Sequence, residues 1–165
     1  MIWRIEVATK PSFGDPAGKA ALGDMLDAGA EGLRECRLVR VFTIDASLDA
    51  GQIHGVAREL LADPVTEAFA VNEPIDVHLT GPTCLVEIAK KPGVMDPVEA
   101  STLKGITDMG LEADSVATSR KYVFSGECDK TVFRAQAAKV LANEVIEQCY
   151  FQQRSGQPRA IVKPY

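Results

Sequence analysis

The sequence predicts an α+β protein in which one strand-helix-strand-helix-strand module, ferredoxin-like in character, occurs twice in tandem. Three observations carry that expectation. A stretch near the start recurs 81 residues later, and a second stretch recurs 80 residues after its first appearance. Within each copy the hydrophobic period also switches from two to about 3.6 and back.

The first repeat is Glu6-Val7-Ala8-Thr9-Lys10-Pro11-Ser12-Phe13-Gly14-Asp15-Pro16 against Glu87-Ile88-Ala89-Lys90-Lys91-Pro92-Gly93-Val94-Met95-Asp96-Pro97. Six of the eleven positions are identical, where average composition would give about one. The second repeat is Leu61-Ala62-Asp63-Pro64-Val65-Thr66-Glu67 against Leu141-Ala142-Asn143-Glu144-Val145-Ile146-Glu147. Two matches at nearly one offset indicate a duplicated module. The expected units are residues 1–80 and 84–151, with 152–165 as a C-terminal loop or extra strand.

The elements follow in order. Trp3, Ile5 and Val7 alternate with Arg4 and Glu6, which marks a half-buried strand, and Cys84, Val86 and Ile88 mark its counterpart. Asp15-Pro16 and Asp96-Pro97 read as helix starts. The Asp side chain caps the free N–H groups, and Pro suits the first turn. Leu22, Met25 and Leu26 share a helical face, as do Leu103, Ile106 and Met109, and Gly29 and Gly110 stop these helices. β-Rich stretches follow at 36–44 and 115–124, then second helices carrying Val56, Ala57, Leu60 and Leu61, or Phe133, Ala137, Val140 and Leu141. A closing strand is expected at Ile75-Asp76-Val77-His78-Leu79. In the second copy it is expected at 149–152, with a return near 160–163. Each sheet would carry helices on one face. The other faces would then pack sheet to sheet, giving a pseudo-dimer.

Composition narrows the function. Hydrophobic residues make up 46% and charged residues 25%, the profile of a globular chain with a full core. A net charge of −5, spread along the chain, argues against nucleic acid, which needs clustered Lys and Arg. No apolar run reaches the roughly 20 residues of a membrane span, and the alternating N-terminus lacks a signal-peptide core. The expected location is cytoplasmic. Four scattered cysteines, Cys36, Cys84, Cys128 and Cys149, form no C-x-x-C pair and read as free thiols. His54 and His78 have no nearby companion ligand, so no metal site is expected.

Lys91-Pro92-Gly93-Val94-Met95-Asp96-Pro97, then Lys121-Tyr122, then Ala142-Asn143 with Val145-Ile146-Glu147, resembles the PurS family, the small subunit of formylglycinamidine ribonucleotide synthase. The second copy carries the closer motifs. It departs from the family pattern at Arg120, where Gly is usual, and at Glu144, where Pro is usual. The first copy keeps that Pro as Pro64 but lacks the Gly-Val pair. The resemblance implies a dimer-like fold fused into one chain. It also implies a non-catalytic role in purine biosynthesis, bridging the synthetase (PurL-type) and glutaminase (PurQ-type) components.

The residues themselves agree with a role without catalysis. There is no phosphate-binding glycine loop, no dinucleotide fingerprint and no nucleophile elbow. Cys36 or Cys84 as a glutaminase nucleophile would need an oriented base, and the buried-thiol reading is preferred. No catalytic residue, cofactor or metal is therefore assigned. Lys91, Val94, Arg120 and Lys121 are the candidates for a partner-facing surface, with Lys10 and Phe13 contributing less. A purely turn-forming role for residues 91–97 is the competing reading. Two other functions stay open: the N-terminal domain of a longer single-chain synthase, and an ACT-like module binding a small metabolite. A homo-oligomer is compatible with either.

Overall fold

The computed structural model describes residues 1–151. Six strands and four helices alternate: β1 (Ile2–Thr9), α1 (Pro16–Asp27), β2 (Leu33–Asp45), α2 (Ala50–Val56), β3 (Glu67–Val71), β4 (Thr83–Lys90), α3 (Pro97–Asp108), β5 (Ser115–Gly126), α4 (Lys130–Val140) and β6 (Glu147–Tyr150). The β-α-β-α-β order therefore occurs twice. α2 runs on through a π-helical turn, Ala57–Leu61. The expected return strand near 160–163 lies outside the described residues.

All six strands join one antiparallel sheet in the order β3-β1-β2-β5-β4-β6. This corrects the expectation of two sheets packed face to face. The halves meet edge to edge along β2 and β5, whose ladder runs from Leu33 opposite Gly126 to Asp45 opposite Ser115. The reason is length: β2 has 13 residues and β5 has 12, so each continues well past its partner within its own half. Pairing these two edges satisfies a long row of backbone groups that would otherwise be exposed. At the seam Arg40 faces Arg120.

The helices share one face of the sheet, and their packing crosses the seam. Trp3, Ile5, Val7, Phe42 and Ile44 are buried under Ile53, Val56 and Leu61 of the first half, and under Ile106 of α3 in the second. Conversely, Val86, Ile88 and Phe124 are buried with Phe133 and Ala137 of α4 and with Ala21 and Met25 of α1. Each apolar cluster therefore contains one helix from the other half. Gly105 of α3 lets Leu60 approach closely, and a Cβ there would collide with the leucine side chain.

Among the described residues the opposite face carries no helix. Ala8, Val39, Val41 and Val123 line it together with Leu85 of β4, and Ile75, Val77 and Leu79 pack against them. This corrects a second expectation: Ile75–Leu79 is not the closing strand but an extended connection lying over the sheet. The closing strand is β3, eight residues earlier. The chain leaves β3 at Asn72, which adopts φ 58. Asn72 brackets Arg4, donating its N–H to the Arg4 carbonyl at 2.7 Å while its Oδ1 accepts the Arg4 N–H at 2.8 Å. His78, also left-handed at φ 57, bends the connection a second time, so its alternating pattern cannot continue a ladder.

Candidate functional site

The loops that follow β1 and β4 are the places where local chemistry builds exposed surface. Each helix start is capped as the Asp-Pro pairs predict. Asp15 Oδ1 accepts from the Gly18 N–H at 2.8 Å, and Asp96 Oδ1 accepts from the Val98 N–H at 3.0 Å. The second carboxylate oxygen ties the helix to its neighbouring strand. Asp15 Oδ2 accepts the Leu38 N–H at 2.8 Å, and Asp96 Oδ2 accepts from the Thr118 hydroxyl. The caps are buried and structural.

Between strand and cap, each loop docks on a second loop from the same half. The Lys10 N–H donates to Thr66 O at 2.8 Å, and Lys10 Nζ to Pro64 O at 3.2 Å. The Lys91 N–H donates to Ile146 O at 2.8 Å, and Lys91 Nζ to Glu144 O at 2.6 Å. The second loops are braced alike: Asp63 Oδ1 accepts the Val65 N–H at 2.8 Å, and Asn143 Oδ1 accepts the Val145 N–H at 3.1 Å. The result is two firm tips. The first presents Phe13, 51% exposed, and Val65, 65% exposed. The second presents Met95 at 86%, Val145 at 81% and Val98 at 49%.

Of the four residues proposed to face a partner, the structure places two at a tip. Lys91 is exposed and Val94 is half-buried in the second tip. Arg120 lies on the helix-bearing face, where it grips Glu147 and donates to Leu141 O at 2.7 Å. Its counterpart Arg40 makes the same contacts in the first half, with Glu67 and Leu61 O. The Arg120 hydrogen bonds hold the Glu147 carboxyl below the usual glutamate range, and Glu147 in turn raises Arg120.

Lys121 is not a surface residue. It is 2% exposed on the helix-free face and donates both to Glu6 Oε1 and, at 2.7 Å, to Glu6 Oε2; Glu6 itself is fully buried. Beside this pair Arg4 spans the seam to Glu87 with bonds of 3.1 and 2.9 Å, and the Ser119 hydroxyl donates to Glu87 at 2.5 Å. Burial lowers the Lys121 ammonium from its ordinary value, while Glu6 pulls it back up. Lys121 was expected on a partner-facing surface, but in a central strand with both faces covered the lysine is buried and paired.

Sequence reasoning missed Met95, Val98, Val65 and Val145 as exposed apolar groups. For Met95, Val65 and Val145 the signal was present: apolar side chains in turn segments that should be polar; Val98 lies in the first turn of α3. Of the cysteines, Cys36 is buried and its thiol is pushed up by desolvation, away from the thiolate a nucleophile needs. Among the described residues no cluster of three or more His, Cys, Asp or Glu is arranged to hold a metal ion. No helix among them is long and apolar enough to cross a membrane.

No curated protein matches the chain. The family model described as PurS: Phosphoribosylformylglycinamidine (FGAM) synthase matches residues 2–73, a span that holds β1, α1, β2, α2 and β3. The match thus falls on the first half, whereas the closer motifs were expected in the second. A capped Asp-Pro helix start, a long central strand and the Leu-Ala-Asp-Pro-Val turn into β3 are all present within it. Residues 2–73 of this chain are therefore similar to the PurS family.

Proposed function

We propose that the chain is a non-catalytic assembly component of FGAM synthase in purine biosynthesis, bridging the glutaminase and synthetase components of that enzyme. The observation that carries this reading is the family match over residues 2–73. Residues 84–151 act in it as a second PurS-like module, so that one chain does the work of a dimer. The recurrence of contacts supports that view. Arg40 with Glu67 and Leu61 is repeated by Arg120 with Glu147 and Leu141, and Lys10 with Pro64 by Lys91 with Glu144. Lys91 and Val94 belong to the partner-facing surface, whereas Arg120 and Lys121 maintain the fold behind it.

The test is biochemical. The purified chain should neither hydrolyse ATP nor release ammonia from glutamine. Mixed with a separately purified FGAM synthetase and its glutaminase, it should elute with both and raise glutamine-dependent product formation. Ammonia release by the chain alone, or failure to associate with either component, would overturn the proposal.

A further inference from the structure

β3 ends the sheet on the side of the first half, and among the described residues no strand lies outside it. The hydrogen bonds at its two ends fix which backbone groups are left over. The Lys10 N–H donates to Thr66 O at 2.8 Å, and the Asn72 N–H donates to Arg4 O at 2.7 Å. Bonding residues alternate along an antiparallel ladder, so Ala68 and Ala70 also bond inward to β1. Glu67, Phe69 and Val71 point their N–H and C=O groups outward. The Glu67 N–H is taken by Asp63 O at 2.9 Å. Phe69 and Val71 thus each present a donor and an acceptor beyond the edge.

Exposed edges are ordinarily guarded by lysine, proline or a bulge. Ala68-Phe69-Ala70-Val71 carries none of these, and its register with β1 runs without a shift. The strand is also firmly placed. Phe69 packs on the apolar cluster beneath it and meets the His54 ring edge-on at 5.9 Å.

The open groups are self-complementary. When a second β3 is set antiparallel about a twofold axis at Ala70, Phe69 of one copy stands opposite Val71 of the other. Each then supplies the N–H and the C=O that the other needs, and no open group of either residue is left over. Setting Phe69 opposite its own copy instead would leave the Val71 carbonyl facing the occupied Glu67 N–H. On the helix-bearing face the favoured register puts an aromatic ring beside a β-branched side chain, a stabilising cross-strand pair, and does so twice. On the other face Ala70 meets Ala70, with no bulk to hold the strands apart. Edge-to-edge antiparallel pairing already joins the two halves along β2 and β5.

We propose that β3 is a self-association edge: two copies of this chain pair β3 to β3, with Ala70 on the axis, and join their sheets into one. The contact is five residues long on each side, at the small end of specific interfaces, so the dimer assembles at micromolar concentration.

Sedimentation equilibrium of the full chain from about 1 to 200 μM should show monomer passing into dimer. Val71→Pro removes an outward N–H and no bond to β1, so its unfolding temperature should stay within about 5 °C of the parent. Its dimerisation should weaken at least ~10-fold. Ala70→Cys reads the register, because opposite residues of a non-hydrogen-bonded pair lie about 4.5 Å apart at Cα, within disulfide reach. Treated with oxidised glutathione, it should give a covalent dimer that neither Ala68→Cys nor the parent, with its four native cysteines, produces. A parent that stays monomeric at the top of the concentration range would overturn the proposal. So would a folded Val71→Pro variant that dimerises as the parent does, or Ala70→Cys that cross-links no more than Ala68→Cys.

Discussion

Replacing Lys121 with methionine isolates the contribution of the ion pair on the helix-free face. The substitution keeps the length and apolar stem of the side chain and removes its charge. Glu6, with no exposed surface, would be left with the Arg4 guanidinium at 3.9 Å as its nearest remaining cation, and Arg4 already holds Glu87. Stranding one member of a buried pair costs about 3–5 kcal/mol. For a chain of this size each kcal/mol moves the unfolding midpoint by about 2–4 °C, so a fall on the order of 10 °C is expected. The double variant Glu6→Leu with Lys121→Met removes both charges, and it should return to within about 1 kcal/mol of the parent or exceed it. Urea unfolding of the four proteins of the cycle gives the coupling energy directly. If Lys121→Met changed stability by less than about 0.5 kcal/mol, the lysine would not be a buried partner of Glu6, and its place on a partner-facing surface would have to be reconsidered.

Gly32 adopts φ 94, and a Cβ there would strike the Glu127 carbonyl, whereas Gly29 has the same φ with open space around it. Thermal unfolding should show a loss of about 1 kcal/mol for Gly29→Ala and at least twice that for Gly32→Ala. Asp15→Ala removes the α1 cap and leaves the Leu38 N–H without its acceptor, so urea titration should show about 2–4 kcal/mol of lost stability. Glu147 has its folded-state pKa depressed by Arg120, so it contributes stability that is fully present above its unfolded pKa of about 4.3 and lost as pH falls through the lower folded value. Urea midpoints measured from pH 6 down to pH 2 should decline less steeply in Glu147→Gln than in the parent; equal slopes would show that the Arg120 bond does not set the acid limb.

What the sequence revealed was local. Asp15-Pro16 and Asp96-Pro97 announce helix starts because cap chemistry depends on neighbours two or three residues away. The closing strand was missed because Glu67–Val71 and Ile75–Leu79 both alternate. Only distant contacts, Lys10 with Thr66 and Arg4 with Asn72, decide between them. The seam was hidden for a similar reason: alternation says that a face is buried, not what covers it. Lys91 and Val94 were recognisable at the surface through their place in a turn, while Lys121 was misplaced. Its buried partner carried a hint, since Glu6 and Glu87 recur at matching positions in the two first strands of the repeat.

The crossed placement of α1 and α3 bears on how this molecule can change. A substitution at Ile106 is felt by Trp3 and Ile5, and one at Met25 by Phe124 and Phe133, because those side chains share clusters. Selection acting on the surface of one half is therefore constrained by the interior of the other. The loops after β1 and β4, which contribute no fully buried apolar side chain to either cluster, escape that constraint. Divergence between the halves can accumulate there while the interior stays locked, so the chain can specialise its two ends without relinquishing a common core.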